Sequence, residues 1–269
     1  MVSGFFEVSL GESFVLQIGY YRLFGFLAAL YLMIHVFRFM NLYKINNMWK
    51  VTLIAAAVAF FFVGSRFLYV LLYLPEVLKE PSLVFQLGFR NFTLFGGLIF
   101  VTLFWWFYTK KADFSFAAST DYLVPHLGIS IFIMRIGCYL NGCCHGKVTD
   151  VPWGVTVPLF SPAHLAQIIE VRDVFSLAPK TVHPTQVYEM IAALVAALVA
   201  FLVNRKKLKA GMTAAVFALV LSTGRLIVFN FRVFPVAGEV SNFFRGPLIY
   251  GAIIILSSWW IIKNRRQTF

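Results

Sequence analysis

The stretch RIGCYLNGCCHG, residues 135–146, crowds an arginine, an asparagine, three cysteines and a histidine onto the end of a long apolar run, and it holds every cysteine of the chain. Guanidinium groups grip phosphate through paired N–H donors. Thiols ligate soft metals, exchange through disulfides, or ionise when an arginine is near. Phosphate, metal and redox chemistry are therefore all open here. A second polar stretch, HPTQVYE at 183–189, puts His183, Gln186 and Glu189 three residues apart, on one helix face. Pro184 suits the first turn of that helix. His183 reads as a helix-entry histidine bonded to backbone, or as a general base or phosphate ligand. TLFGGL at 93–98 carries Gly96 and Gly97. Paired glycines mean close helix packing or a ligand approaching bare backbone, and STGR at 222–225 has the same two readings.

The elements that must position these groups lie in a membrane. Sixty per cent of the residues are apolar and 13% are charged, against about a quarter charged in a soluble domain. Runs long enough to span, about 17–25 residues, cover 14–37, 51–74, 92–109, 120–141, 184–203, 210–230 and 246–262. The expectation is an all-α integral membrane protein of seven transmembrane helices, one polytopic domain over 1–269. The long loop 142–183 contains Pro152, Pro158, Pro162 and Pro179, so it should be irregular with short helical pieces. The opening MVSGFFEVSLGE has acids and no basic segment, so no cleaved signal peptide is expected. Twelve basic residues fall in one set of connecting segments and seven in the other. The richer side should be cytoplasmic, with the N-terminus and the long loop outside and the C-terminus inside. The net charge of +12 is dispersed over loops. It reads as membrane anchoring, and no nucleic-acid partner is expected.

Four arginines lie inside spans: Arg22, Arg66, Arg135 and Arg225. At about 1.5 Å per residue, Arg135 and Arg225 sit roughly 8–9 Å from the outer ends, and Arg22 and Arg66 roughly 12 Å. Each could snorkel to the headgroups. Four at one level, with Glu189 the one acid beside them, call for further negative charge, since a buried arginine costs at least ~2.5 kcal/mol. An outer-leaflet phospholipid phosphate would supply it.

The order R-x-G-x-x-x-N-G (135–142), G-K-V-T-D-x-P-W (146–153), H-P-T-Q-V-Y-E (183–189) and G-R-L-I-V (224–228) resembles the bacterial prolipoprotein diacylglyceryl transferase family. R-x-F-G (22–25), G-S-R-x-x-Y-V (64–70) and F-G-G-L (95–98) support it. The resemblance implies a multi-pass protein of the bacterial plasma membrane. It would move the diacylglyceryl group of phosphatidylglycerol to the cysteine thiol of a prolipoprotein signal peptide, with membrane lipid as its surroundings and no cofactor. It also implies Arg135, Arg225, His183 and Cys143 as the catalytic set. Asn141, Arg66, Arg22, Gly96, Gly97, Gln186, Tyr188 and Glu189 would bind substrate. The chain departs from the family pattern G-R-x-G-N-F-x-N-G-E at Met134, Cys138 and Cys143, and elsewhere at Phe24, Phe95 and Phe229.

For the cysteines three readings stand together: small apolar fillers at a helix end, an orienting or catalytic role in lipid transfer, and a metal or redox site. A metal would take Cys143, Cys144 and His145, with His126, His164 or His183 as a further ligand, although the spacing is unlike that of common zinc sites. A membrane thiol or metal protein, such as a quinone-linked thiol oxidoreductase, is therefore the alternative class. A phospholipid-dependent transferase with another acceptor is a second alternative. A transporter is less favoured, because the charges gather at one side rather than through the midplane.

Overall fold

A computed structural model describes residues 5–9, 15–84, 93–171, 178–206, 208–233 and 246–264. In chain order these form β1 (Phe5–Ser9), β2 (Val15–Gly19), α1 (Tyr20–Leu42), α2 (Asn47–Leu72), α3 (Leu74–Lys79), a 3-10 turn (Pro81–Val84), α4 (Leu94–Thr109) and α5 (Phe116–Leu140). There follow β3 (Val155–Thr156), α6 (Pro162–Val171), β4 (Thr181–Val182), α7 (Thr185–Asn204), α8 (Met212–Phe229) and α9 (Pro247–Asn264). Six helices, α1, α2, α5, α7, α8 and α9, are long and apolar enough to cross a membrane, and α4 is a shorter apolar helix. The chain is an integral membrane protein. Large apolar side chains such as Phe62, Ile191, Leu198 and Ile255 face outward, as a lipid-facing surface requires.

One expectation is corrected. The run 14–37 does not begin as helix: Val15–Gly19 pairs antiparallel with Phe5–Ser9, Phe5 opposite Gly19. Gln17 interrupts the apolar run and Gly19 weakens helix extension toward the N-terminus. Helix α1 therefore starts at Tyr20, and Arg22 lies exposed in its first turn instead of deep in a span. The long loop is mostly irregular with a short helical piece, as its prolines suggest. It contains α6 and a β3–β4 ribbon pairing Val155 with Val182. Described residues thus include two small antiparallel ribbons alongside the helices. Much of the opening stretch MVSGFFEVSLGE, together with Arg90, Arg172, Lys207, Arg245, Arg265 and Arg266, lies outside the described residues.

The chain forms two compact units, Met1–His35 with Thr120–Phe269, and Val36–Ser119. In the second, α2 packs on α4. Thr93 donates both its backbone N–H and its hydroxyl to the Ser65 carbonyl, at 3.1 and 3.0 Å. A Cβ on Gly96 would come 2.6 Å from Leu68 Cβ, and one on Gly97 would come 2.5 Å from Ser65 Oγ. Close packing accounts for both glycines. Arg66 is half-buried in the same unit, with its guanidinium 5.3 Å from the Tyr69 ring. At the α1–α2 turn the buried Lys50 ammonium is held by Asn41 and Asn47.

In the first unit the decisive contact is a seam of small residues. Ala193, Ala196, Ala197 and Ala200 repeat at helical spacing along α7 and are wholly buried. A Cβ on Gly128 of α5 would lie 2.8 Å from Ala197 Cβ and 2.9 Å from the Ala193 carbonyl. Small residues let helix backbones approach closely. From Gly128, seven residues along α5 lead to Arg135. From the Ala193–Ala197 pair, a similar length in the opposite direction along α7 leads to Glu189. The seam therefore sets these two side chains face to face. On its other side α7 meets α8, where Gly224 admits Ala192, and α8 packs on α9. Asp121, a second acid inside a predicted span, sits at the far end of α5. It accepts the N–H groups of Gly211 (2.6 Å) and Ala214 (2.7 Å), closing the start of α8.

Candidate active site

Glu189 is the hub. Its carboxylate is nearly sealed and meets three guanidinium groups: Arg135 Nε at 2.5 Å, Arg232 Nη1 at 3.0 Å and Arg225 Nη1 at 3.3 Å. Arg135 is almost as buried as the acid, while Arg225 and Arg232 keep about a fifth of their side-chain surface open. Arg225 also donates from Nε to the Tyr250 hydroxyl of α9 at 3.0 Å. Three guanidinium groups converge on one carboxylate, at a place where charge is expensive unless it is paired. Guanidinium forks gathered in this way suit an anion with more than one acceptor oxygen.

The cysteine stretch follows from how α5 stops. Gly142 takes a left-handed φ of +66°, the C′ position of a Schellman cap. Cys143 N–H then donates to the Cys138 carbonyl (3.2 Å) and Gly142 N–H to the Tyr139 carbonyl (3.2 Å). This cap brings its C3 and C″ residues together, and here both are cysteines. Cys144 turns left-handed again at φ 59°, an uncommon conformation for a residue with a side chain. The Sγ atoms of Cys138, Cys143 and Cys144 all lie within 4.8 Å of one another. Arg135 Nη1 donates to Cys138 Sγ at 3.7 Å. Hydrogen bonds from the Cys138 and Cys143 thiols draw the Cys144 thiol well below its usual value, with Arg232 and Arg135 adding positive field.

Helix α7 holds this turn in place. Thr185 donates to the Cys144 carbonyl and Gln186 to the Cys143 carbonyl, both at 2.7 Å. Residues 145–148 then run between the segments around His183 and Phe231, with isolated bridges from Gly146 to Arg232 and from Val148 to Val182. Gly146 N–H bonds His183 O, His183 N–H bonds Lys147 O, Lys147 N–H bonds Phe231 O, and Val233 N–H bonds His145 O. A Cβ on Gly146 would strike His183 and the Phe231 carbonyl, so this crossing requires glycine. The His183 ring pairs through Nδ1 with the Tyr188 hydroxyl (3.2 Å), which accepts from Trp153 Nε1 (2.7 Å). Below, α7 and α8 enclose an apolar groove of about 330 Å³, lined by Tyr188, Ile191, Ala192, Val195, Val220, Gly224, Ile227 and Val228.

Residues 8–266 match the family model described as prolipoprotein diacylglyceryl transferase. The chain belongs to that family. Relatives named phosphatidylglycerol–prolipoprotein diacylglyceryl transferase include one from Clostridium tetani, 30% identical over 66% of each chain. Another, from Pseudomonas entomophila, is 31% identical over 77% of this chain and 74% of its own. A third, from Pseudomonas fluorescens, is 30% identical over 76% of this chain and 73% of its own.

The structure joins Arg135, Arg225 and Glu189, as the charge count anticipates, and sets His183, Tyr188, Gln186 and Cys143 around the same end of α5 and α7. Asn141 is the C-cap residue, directly before Gly142. Gln186 spends its amide on backbone, and Gly137 is the point where α1 crosses, its Cβ position filled by Phe24. Arg22, Arg66, Gly96 and Gly97 have the placements given above. Neither His145 nor the other histidines named as ligands join the thiol cluster. His145 bonds the Gly146 carbonyl, His164 accepts Phe160 N–H, and His126 meets Tyr31 and stacks on His35. Two residues escaped the sequence reading. Arg232 lies three residues beyond the end of α8, in a connecting segment by hydropathy, and nonetheless reaches Glu189. Tyr250 carried no signal beyond its type.

Proposed function

We propose that the chain transfers the diacylglyceryl group of phosphatidylglycerol to the cysteine thiol of a prolipoprotein signal peptide, as its relatives' names describe for them. The observation that carries this reading is the convergence of Arg135, Arg225 and Arg232 at Glu189. A bound phosphodiester carries one negative charge. The departing glycerol phosphate carries about −1.5 to −2, the charge of a phosphate monoester. Guanidinium groups attract the more negative product of bond breaking more strongly than the bound ester, and interactions that strengthen along the reaction lower its barrier. The acceptor S–H proton passes to His183, the sulfur bonds the glyceryl carbon, and the carbon–oxygen bond breaks with its electron pair moving to phosphate. Arg135, Arg225 and Arg232 hold the phosphate, and Tyr188 orients His183. The apolar groove between α7 and α8 lies beside Tyr188 and suits an acyl chain.

The protein sits in the bacterial plasma membrane with seven spans, α4 being the seventh, the N-terminus and the 142–183 loop outside and the C-terminus inside. The basic asymmetry supports this orientation. So do Lys110 over Trp106 (3.6 Å) and Lys263 over Trp259 (4.7 Å), lysine–aromatic pairs of the kind that anchor helix ends at the interface. The decisive experiment incubates purified protein with labelled phosphatidylglycerol and a signal-peptide substrate and follows the mass of the peptide. A diacylglyceryl gain on cysteine, absent with a serine peptide, is expected. Unchanged peptide under conditions where a relative modifies it refutes the reading.

A further inference from the structure

We infer that Cys138, Cys143 and Cys144 form a three-thiolate site for a thiophilic cation of the Zn2+ class, and that its open fourth position takes the acceptor cysteine of the signal peptide. The second half rests on the transferase reading; the first does not.

Geometry separates a metal from the obvious alternatives. Thiolates around a tetrahedral zinc at about 2.3 Å lie ~3.8 Å apart. A disulfide needs its sulfurs at about 2.05 Å. Three sulfurs that are all within 4.8 Å of one another approach the first arrangement by small side-chain rotations. A disulfide would use two and strand the third, whereas a metal uses all three. The trio is also built rather than incidental. The Schellman cap fixes Cys138 against Cys143, the left-handed turn at Cys144 swings the third thiol inward, and Thr185 and Gln186 clamp both carbonyls. Cys138 is 1% exposed, while Cys143 and Cys144 are half-buried. The cluster is therefore sealed at Cys138 and partly open at Cys143 and Cys144. Three protein ligands with a vacant fourth position is the arrangement of catalytic zinc, in contrast to closed structural sites.

Charge agrees. Three thiolates and Zn2+ sum to −1, and Arg135 already donates to Cys138 Sγ while Arg232 stands in the same field. The chemistry is what this chain needs. At the family positions noted above it carries Phe95, Phe229 and Cys143 in place of polar groups. A thiol bound to zinc is deprotonated outright. The acceptor sulfur would bond to zinc as its proton passes to His183. It would then bond the glyceryl carbon as the carbon–oxygen bond breaks, the electron pair going to phosphate and the thioether leaving the metal.

The test uses the full-length protein, reduced and then loaded with Zn2+, Co2+ or Cu(I) in separate arms. Expected are about one zinc per chain, thiols shielded from maleimide until a chelator is added, and thiolate-to-cobalt charge-transfer absorption. Cys138→Ser, Cys143→Ser and Cys144→Ser should each weaken zinc binding by more than ~100-fold, because each removes a direct ligand. A signal-peptide cysteine should shift the cobalt spectrum, and its serine counterpart should not. Three freely reactive thiols after zinc loading, or a disulfide with one free thiol, overturns the site; this result needs no variant to fold. Preference for Cu(I) over zinc overturns the Zn2+ assignment. Metal bound without spectral response to the thiol peptide overturns the acceptor position. Lipid transfer by metal-free protein at the full rate overturns the acceptor position and leaves the transferase reading intact.

Discussion

Replacing Glu189 by glutamine removes a negative charge in contact with three arginines while keeping size and hydrogen bonding. At an effective dielectric near 20, a unit pair at about 3 Å is worth about 5 kcal/mol, and much of that is cancelled by desolvation. Breaking such a buried set from one side costs about 3–5 kcal/mol, because the remaining charges stay buried. Arg225 and Arg232, each about a fifth open, recover some solvation, which favours the lower end. With ~2–4 °C per kcal/mol for a chain of this size, Glu189→Gln should unfold roughly 6–20 °C earlier in detergent. The anion site behaves oppositely. It loses one negative charge, so glycerol phosphate should raise the unfolding temperature of the variant more than that of the native protein. Thermal unfolding of both proteins, with and without glycerol phosphate, reads the two effects together. A variant as stable as the native protein, or one gaining less from the anion, refutes the charge-hub argument.

Arg135→Lys and Arg225→Lys should each lower turnover about 10²–10³-fold, since a point charge does not replace a planar fork of donors. Arg232→Ala should fall in the same range; near-native transfer by all three removes the phosphate assignment. Gln186→Leu leaves the Cys143 carbonyl without its donor and should cost about 1–3 kcal/mol, read as an earlier unfolding transition. If lipid affinity falls instead while stability holds, Gln186 touches substrate directly. Cysteines engineered at residues 148 and 206 should be labelled by impermeant reagents only from outside and only from inside respectively, and the reverse pattern overturns the orientation.

Hydropathy placed the helices well because lipid demands long apolar runs whatever the tertiary contacts. It failed at 15–19 because an apolar stretch of that length pairs as a strand when a partner such as Phe5–Ser9 lies nearby. The convergence of Arg135, Arg225 and Glu189 was legible as unbalanced charge in spans. Arg232 was not, since counting basic residues by segment hides a residue that trails a helix by one turn and points back along it. The cysteines show the same limit. Adjacency suggested Cys143, Cys144 and His145, whereas the helix cap selects Cys138 and turns His145 to its neighbour's carbonyl. Asn141-Gly142 is the readable signal for that cap, because glycine takes the left-handed position that Gly142 occupies.

Asp121 and Arg135 lie at opposite ends of α5, and each fastens α5 to the helices beside it. Through Asp121 the start of α8 is stitched to one end; through Arg135, Glu189 and Arg225 its finish is stitched to the other. Helix α5 is thus a splint some 20 Å long between those points, and α8 cannot slide along α7 without tearing a buried ionic joint. The width of the groove between them is consequently a constant of the fold, set where Gly224 meets Ala192. A lipid tail has to be admitted by side-chain rotation there, so a bulkier residue at 224 should narrow the range of acyl chains accepted before it alters the headgroup chemistry.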